Sequence, residues 1–369
     1  MINTTGMDDR TIIQRLHIDV PLLIGIILLC ILGTVILYSA GSQDINIVYR
    51  QLLRMGIAFI LLFACAQLSP TLLARWSLWI YLTALILLIL VLVMGDVGKG
   101  AQRWLDLGLF RFQPSELMKI ALPMVLAWLF SEKPLPPTLF RIGVACVMIV
   151  VPVILIVKQP DLGTSLLVAA AGFSILFVAG INWRLIAGFI SFAALSTPVL
   201  WYFMHDYQRR RILTFLDPER DPLGDGYHII QSKIAIGSGG IYGKGWLNGT
   251  QSHLEFLPER STDFIFSVFS EEFGFMGVLL IITLYMFVII RGLQISMNAQ
   301  QTYGKLLGSG LIFTFFVYIF VNMGMVSGQL PVVGVPLPLV SMGGTSLVTL
   351  MAGFGILMAI QSHRRLLSE

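Results

Sequence analysis

The chain has 369 residues, 56% of them hydrophobic and only 12% charged, where a soluble globular protein of this length carries about a quarter. This composition excludes a soluble globular domain and points to an integral membrane protein. The net charge of +4 is modest and is accounted for by loop Lys and Arg, and no nucleic-acid-binding motif accompanies it.

Apolar runs long enough to cross a bilayer recur along the whole chain. They fall at 20–39, 51–69, 74–95, 115–130, 142–158, 163–181, 184–204, 264–291, 306–328 and 339–361, which makes about ten spans in an all-α polytopic bundle. The first run is too long for a cleaved signal segment and reads as a retained span. Residues 163–181 and 184–204 are joined only by the short turn "INWR". The three cysteines, Cys30, Cys65 and Cys146, all sit inside apolar runs, with no CxxC and no disulfide framework.

An even number of spans puts both termini on one side, and Lys/Arg bias selects that side. Arg10, Arg15, Arg75, Lys133, Arg141, Arg184, Arg291, Lys305, Arg364 and Arg365 fall in one set of segments. The opposite short loops carry Arg50, Arg54, Lys99, Arg103, Arg111 and Lys158. Both termini are therefore expected in the cytoplasm. The whole of 1–369 reads as one membrane domain, with one long outward loop, 205–262, between spans seven and eight. Within that loop "GYHIIQSKIAIGS" (226–238) predicts a short amphipathic helix lying at the membrane surface, and 246–257 has the same mixed character.

Ionisable groups inside such a bundle are functional candidates because each is costly to hold there. In "RFQPSELMK" (111–119), Pro114 opens a helix and puts Glu116 near its positive end. Lys119 lies three residues on and shares that face, as a structural ion pair or as a site. In "KQPDLGTS" (158–165), Asp161 falls in a turn or first-turn position, where capping alone would explain it. In "LPERSTDF" (257–264), Ser261 and Thr262 are good N-cap residues, so Asp263 is expected in the first helical turn. Glu271 and Glu272 lie deeper on that helix, offset from Asp263 by about 80° and 180°, so the three cannot all face one site and the pair reads as contacts to other helices. "GSGGIYGKGW" (237–246) fails as a P-loop, because Ser238 and Gly245 stand where Gly and Ser/Thr are required. It reads as an amide-rich turn able to cradle an anion. The five histidines show no metal spacing.

Taken in order, "KGAQRWLDLG", "RFQPSELMK", "QPDLGTS", "DPLGDGYHIIQSKIAIGSGG", "LEFLPERSTDFIF", "EEFGFMG" and "LPVVGVPLPLVSMGGTS" resemble the SEDS family (shape, elongation, division and sporulation). The likeness runs from about residue 20 to 365. It resembles the rod-elongation branch more than the division branch. Met342 in "VSMGG" departs from the tyrosine common in the family.

The resemblance implies a multi-pass protein of the bacterial inner membrane that polymerises lipid II into glycan strands at the outer face. It implies lipid II and the nascent glycan as substrates, and a class B penicillin-binding protein as partner. The family's catalytic aspartate matches Asp263, as general base towards the acceptor hydroxyl. The pyrophosphate leaving group needs positive charge: Lys119 oriented by Glu116 is the first candidate, with Arg103, Arg210, Arg211 and Lys233 behind it. Asp161 and Ser341 complete the substrate-side candidates, and a divalent cation, magnesium or manganese, is a candidate to share the charge on Asp161 or Glu116. A lipid II flippase and a non-catalytic scaffold for the penicillin-binding protein are the competing functions.

Overall fold

A computed structural model describes residues 17–98, 101–106, 111–204, 206–220, 224–250 and 259–363. The ten predicted spans are all helices: α1 (Val20–Ala40), α2 (Ile45–Ala66), α3 (Pro70–Met94), α4 (Pro114–Ser131), α5 (Leu139–Lys158), α6 (Leu162–Val178), α7 (Trp183–Phe203), α10 (Ile265–Met297), α11 (Thr302–Val326) and α12 (Thr345–Ser362). Between α7 and α10 lie α8 (Asp206–Leu216) and α9 (Asp225–Ser238). Seven of these helices, α1, α2, α3, α5, α10, α11 and α12, are long and apolar enough to cross a bilayer, and α6 is a shorter apolar helix.

Local chemistry sets the starts. Asp19 caps α1 by accepting from Leu22 N (3.0 Å), and Ser69 caps α3 by accepting from Leu72 N (3.3 Å). Pro21, Pro70 and Pro114 occupy first-turn positions, where no backbone donor is required.

Helix α4 is the centre of the bundle. Residues of every face, from Pro114 to Phe130, are buried, and it packs on α3, α6 and α11. Helix α7 lies at the edge, with Ile190, Phe192 and Leu195 exposed. An apolar groove of about 500 Å³ separates it from α6 and α11. In the bundle, helix contact without a hydrophobic driving force needs close approach. Gly33 of α1 meets the backbone of Val340, and a Cβ there would overlap it.

Three features depart from the sequence reading. A small antiparallel sheet, β1 (Asp96–Gly98), β2 (Ala101–Asp106) and β3 (Arg111–Phe112), leads from α3 into α4, with Asp96 opposite Trp104 and Leu105 opposite Phe112. Helix α9 forms where the amphipathic helix was expected, and beyond that reading one of its faces packs against α10. It buries Ile229, Ser232 and Ala235, and Ser232 bonds both Ser267 Oγ (2.7 Å) and the Val326 carbonyl (2.5 Å). The buried face is made of small or apolar residues, which permits the close contact, while Lys233 on another face stays exposed. Of the stretch 246–257, residues 251–258 lie outside the described ones.

The third departure is in α10, which is not one continuous helix. Gly274 has φ 62° and ψ −162°, outside helical geometry, so a buried half-helix, Ile265–Phe273, is set off from the rest.

Candidate active site

A cleft of about 360 Å³ opens where α4, α6 and the mouth of α10 meet the 334–346 loop. Its wall includes Arg103, Trp104, Glu116, Lys119, Asp161 and Asp263. Residues from four separate stretches of sequence thus converge on one space.

The floor is built by α4. Glu116 and Lys119 are 5% and 4% exposed, and Lys119 Nζ donates to Glu116 Oε1 at 2.7 Å. The same ammonium donates to the hydroxyl of Tyr318 on α11 and lies over its ring. The second oxygen of Glu116, Oε2, is buried and accepts no hydrogen bond.

One wall is Asp161, which caps α6 by accepting from Thr164 N at 3.1 Å. Its other oxygen accepts from Gln113 Nε2 at 3.1 Å, and Arg103 Nε lies 3.8 Å away. Arg103 also donates to the Pro160 carbonyl at 2.5 Å. The capping role and the cleft position therefore coexist in one carboxylate.

The opposite wall carries Asp263. It is not in the first helical turn: the N-cap is Phe264, which makes no side-chain cap bond, and Asp263 lies just before it in a turn closed by Phe264 N to Glu259 O (3.3 Å). Ser261 and Thr262 are not caps, because the helix starts only after Phe264 and the Thr262 hydroxyl donates back to Glu259 O and Oε2 (3.2 and 3.1 Å); their carbonyls are bonded from outside. Met342 N donates to Ser261 O (2.9 Å), Ser341 Oγ to Thr262 O (2.6 Å), and Asn322 Nδ2 to Asp263 O (2.9 Å). Three successive carbonyls are thus pinned from outside, which fixes the backbone under a half-buried carboxylate. Gly334, whose φ of 71° favours glycine, borders the carboxylate: a Cβ there would lie in contact with Asp263 Oδ2, at 3.4 Å.

The remaining predicted residues lie elsewhere. The Ser341 hydroxyl is occupied between Thr262 O and Leu337 N (2.8 Å), so it positions the Asp263 turn. Arg210 is exposed and Arg211 half-buried on α8, and Lys233 is exposed on α9 with its stem over Gly328; none of the three lines the cleft. The turn 237–246 does not present its amides to an anion. Lys244 N and Gly245 N donate to the carbonyls of Glu271 and Glu272, at 3.0 Å each, because the break in α10 leaves those carbonyls without helical partners.

Sequence reasoning missed Trp104, Tyr318, Asn322 and Gly334. Tyr318 and Asn322 had a signal, being polar groups four apart on one face of an apolar helix. Trp104 had none beyond its place in a polar loop.

Of the buried carboxylate oxygens in the cleft, Glu116 Oε2 has no hydrogen-bond partner and is the atom a metal ion would find. Asp161 already has donors on both oxygens, and among the described residues no three of His, Cys, Asp and Glu come together as a metal-holding group.

Residues 15–366 match the family described as "Cell cycle protein" that covers FtsW, RodA and SpoVE. The chain is 50% identical to peptidoglycan glycosyltransferase MrdB of Escherichia coli over 99% of both chains. It is 37% identical to the probable peptidoglycan glycosyltransferase FtsW of Geobacter metallireducens over 94% of this chain and 95% of that one. Among solved structures it superposes on rod-shape-determining protein RodA of Thermus thermophilus with TM-score 0.72 and 30% identity, covering 94% of this chain and 97% of that chain. It also superposes, with TM-score 0.82 and 32% identity over 94% of this chain and 98% of that one, on a chain from a study of polymerization and crosslinking by a peptidoglycan synthase complex. With the match spanning nearly its whole length and the cleft assembled from its motifs, this chain belongs to the FtsW, RodA and SpoVE family, the SEDS proteins, and stands with the RodA members.

Proposed function

We infer that this chain is a peptidoglycan glycosyltransferase of cell elongation whose reaction takes place in the cleft between Asp263 and Lys119. The observation that carries this reading is the cleft itself: one carboxylate held by a pinned backbone on one wall, and buried or half-buried cations on the other.

The acceptor is the 4-hydroxyl of an N-acetylglucosamine, and the donor is the muramyl C1 of lipid II. Asp263 takes the hydroxyl proton as the oxygen bonds to C1. The bond from C1 to the pyrophosphate oxygen breaks, and undecaprenyl pyrophosphate leaves with the electron pair. One displacement inverts the anomeric centre and needs no second carboxylate as nucleophile. Lys119, aimed by Glu116 and Tyr318, and Arg103, aimed by Asp161 and Pro160, offset the charge developing on the leaving group. Because both donors are already oriented, and Lys119 is shielded from water, they require little rearrangement in the transition state. A magnesium or manganese ion at this floor would take Glu116 and share the pyrophosphate charge.

The substrate is tethered to a lipid, so its reacting carbons are presented near one membrane plane. The Lys/Arg bias assigns the cleft end to the outer face of the cytoplasmic membrane and both termini to the cytoplasm. The apolar groove beside α7, lined by Phe173, Phe177, Phe189 and Phe313, suits a polyprenyl chain. A class B penicillin-binding protein is the crosslinking partner.

The test is polymerisation of purified lipid II by detergent-solubilised protein, which needs no transmembrane movement and so separates polymerase from flippase. Asp263→Asn is expected to insert, fold and bind its partner normally and to make no glycan. Polymer from Asp263→Asn would remove the base assignment.

A further inference from the structure

The half-helix that ends at Asp263 is held at its far end by a loop remote in sequence. Ile265 to Phe273 is about nine residues, roughly 13 Å at 1.5 Å per residue. Its residues from Ile265 to Glu272 are all buried. At Gly274 the helix breaks, and the segment Gly239–Gly245 inserts at the break.

The insertion is bonded through its backbone to both sides of the break. Lys244 N and Gly245 N take the last carbonyls of the half-helix, Glu271 O and Glu272 O. Gly240 O and Ile241 O take the first amides beyond the break, Phe275 N (2.9 Å) and Met276 N (3.1 Å). A Cβ at Gly239, Gly243 or Gly274 would collide with the facing backbone, so the approach is possible only with glycine at these positions.

Side chains lock the same junction. Lys244 Nζ bonds Glu271 Oε1 at 2.7 Å, and Thr250 donates to that oxygen through both its amide and its hydroxyl, at 2.9 Å each. Lys244 Nζ also bonds Thr250 Oγ1 at 2.8 Å. Glu271 is fully buried, and its neighbour Glu272 accepts from Ser39 on α1.

We propose that Lys244, with Thr250, is a positioning residue for the polymerisation reaction: it clamps Glu271 and thereby fixes how far the half-helix projects Asp263 into the cleft. Lys244 lies outside the cleft lining and acts through α10. A short rod buried from Ile265 to Glu272 moves along its axis as a unit, so slippage at Glu271 strains the pinned turn that carries Asp263. Misplacement of a catalytic group by about 1 Å lowers a rate by up to about a hundredfold. This inference rests on Asp263 as the base.

The experiment compares kcat and KM for lipid II polymerisation in wild type, Lys244→Ala, Lys244→Arg and Asp263→Asn, each normalised to folded protein. Lys244→Ala is expected to lower kcat about tenfold or more with KM changed less than about twofold. Lys244→Arg, which keeps the ion pair, is expected to return kcat to within about threefold of wild type. Unchanged kcat in Lys244→Ala, or a loss confined to folded yield, overturns the proposal. If Lys244→Ala cannot be recovered folded, Thr250→Val removes one donor and keeps the ion pair. It is expected to lower kcat about threefold, and an unchanged kcat overturns the proposal equally. Turnover by Asp263→Asn would remove the base assignment, while the kcat split in the Lys244 variants still reports whether the clamp acts on turnover.

Discussion

Lys119→Met and Glu116→Gln, made singly and together, separate what the floor pair does for the fold from what it does for the reaction. Both side chains are nearly inaccessible, at 4% and 5%, and are joined at 2.7 Å. Lys119→Met leaves the Glu116 carboxylate in packed surroundings with Oε2 already lacking a donor. Breaking a buried pair in this way costs about 3–5 kcal/mol, whereas replacing both partners by neutral groups of similar volume is close to neutral. The single variants are therefore expected to melt several degrees lower in detergent, and the double variant to melt within a degree or two of wild type. Turnover should follow another rule. Loss of one oriented donor to a developing anion lowers kcat by about 100- to 1,000-fold. Lys119→Met and the double variant should therefore both be nearly inactive. The assays are thermal unfolding followed by intrinsic tryptophan fluorescence and glycan formation from lipid II. A double variant that regains both stability and turnover would refute the role of Lys119 at the leaving group. A Lys119→Met protein as stable as wild type would refute the burial argument.

Gly334→Ala places a methyl group 3.4 Å from Asp263 Oδ2 at a backbone φ of 71°. It is expected to lose about 1–2 kcal/mol of stability and about tenfold in kcat, and an undiminished kcat would show that the loop does not hold the carboxylate. Arg291→Ala removes two bonds to the buried Asp19 carboxylate, at 2.7 and 3.0 Å, and tests the opposite end of α10. It is expected to destabilise by about 1.5–3 kcal/mol with kcat unchanged, since Arg291 lies roughly 25 Å along the second segment of α10, beyond the break at Gly274. A fall in kcat per folded molecule would contradict that separation.

Much of the fold was legible because its determinants are local. Apolar runs report spans directly, and Pro114, Pro70 and Asp19 mark helix starts by chemistry confined to one turn. The break in α10 was hidden, since "EEFGFMG" reads as part of an apolar helix with two tolerable glycines. Only the loop that supplies the missing bonds makes the break stable, and that loop comes from 239–245. The same blindness misassigned "GSGGIYGKGW": its glycines look like an anion cradle until the backbone they approach is known to be α10. Asp263 was found, but its place before the N-cap depends on bonds from Met342, Ser341 and Asn322, which no local pattern announces.

The sequence by itself determined a polytopic helical bundle and marked the ionisable residues that are costly to hold in it, because span length and charge burial are set by transfer from water and act residue by residue. The tertiary structure decided which of those residues meet. Glu116, Lys119, Asp161, Arg103 and Asp263 share one cleft, while Arg210, Arg211 and Lys233 lie outside its lining. That division follows from helix packing between segments far apart in sequence, where close approach and pinned backbone carbonyls, not periodicity, fix where a side chain points.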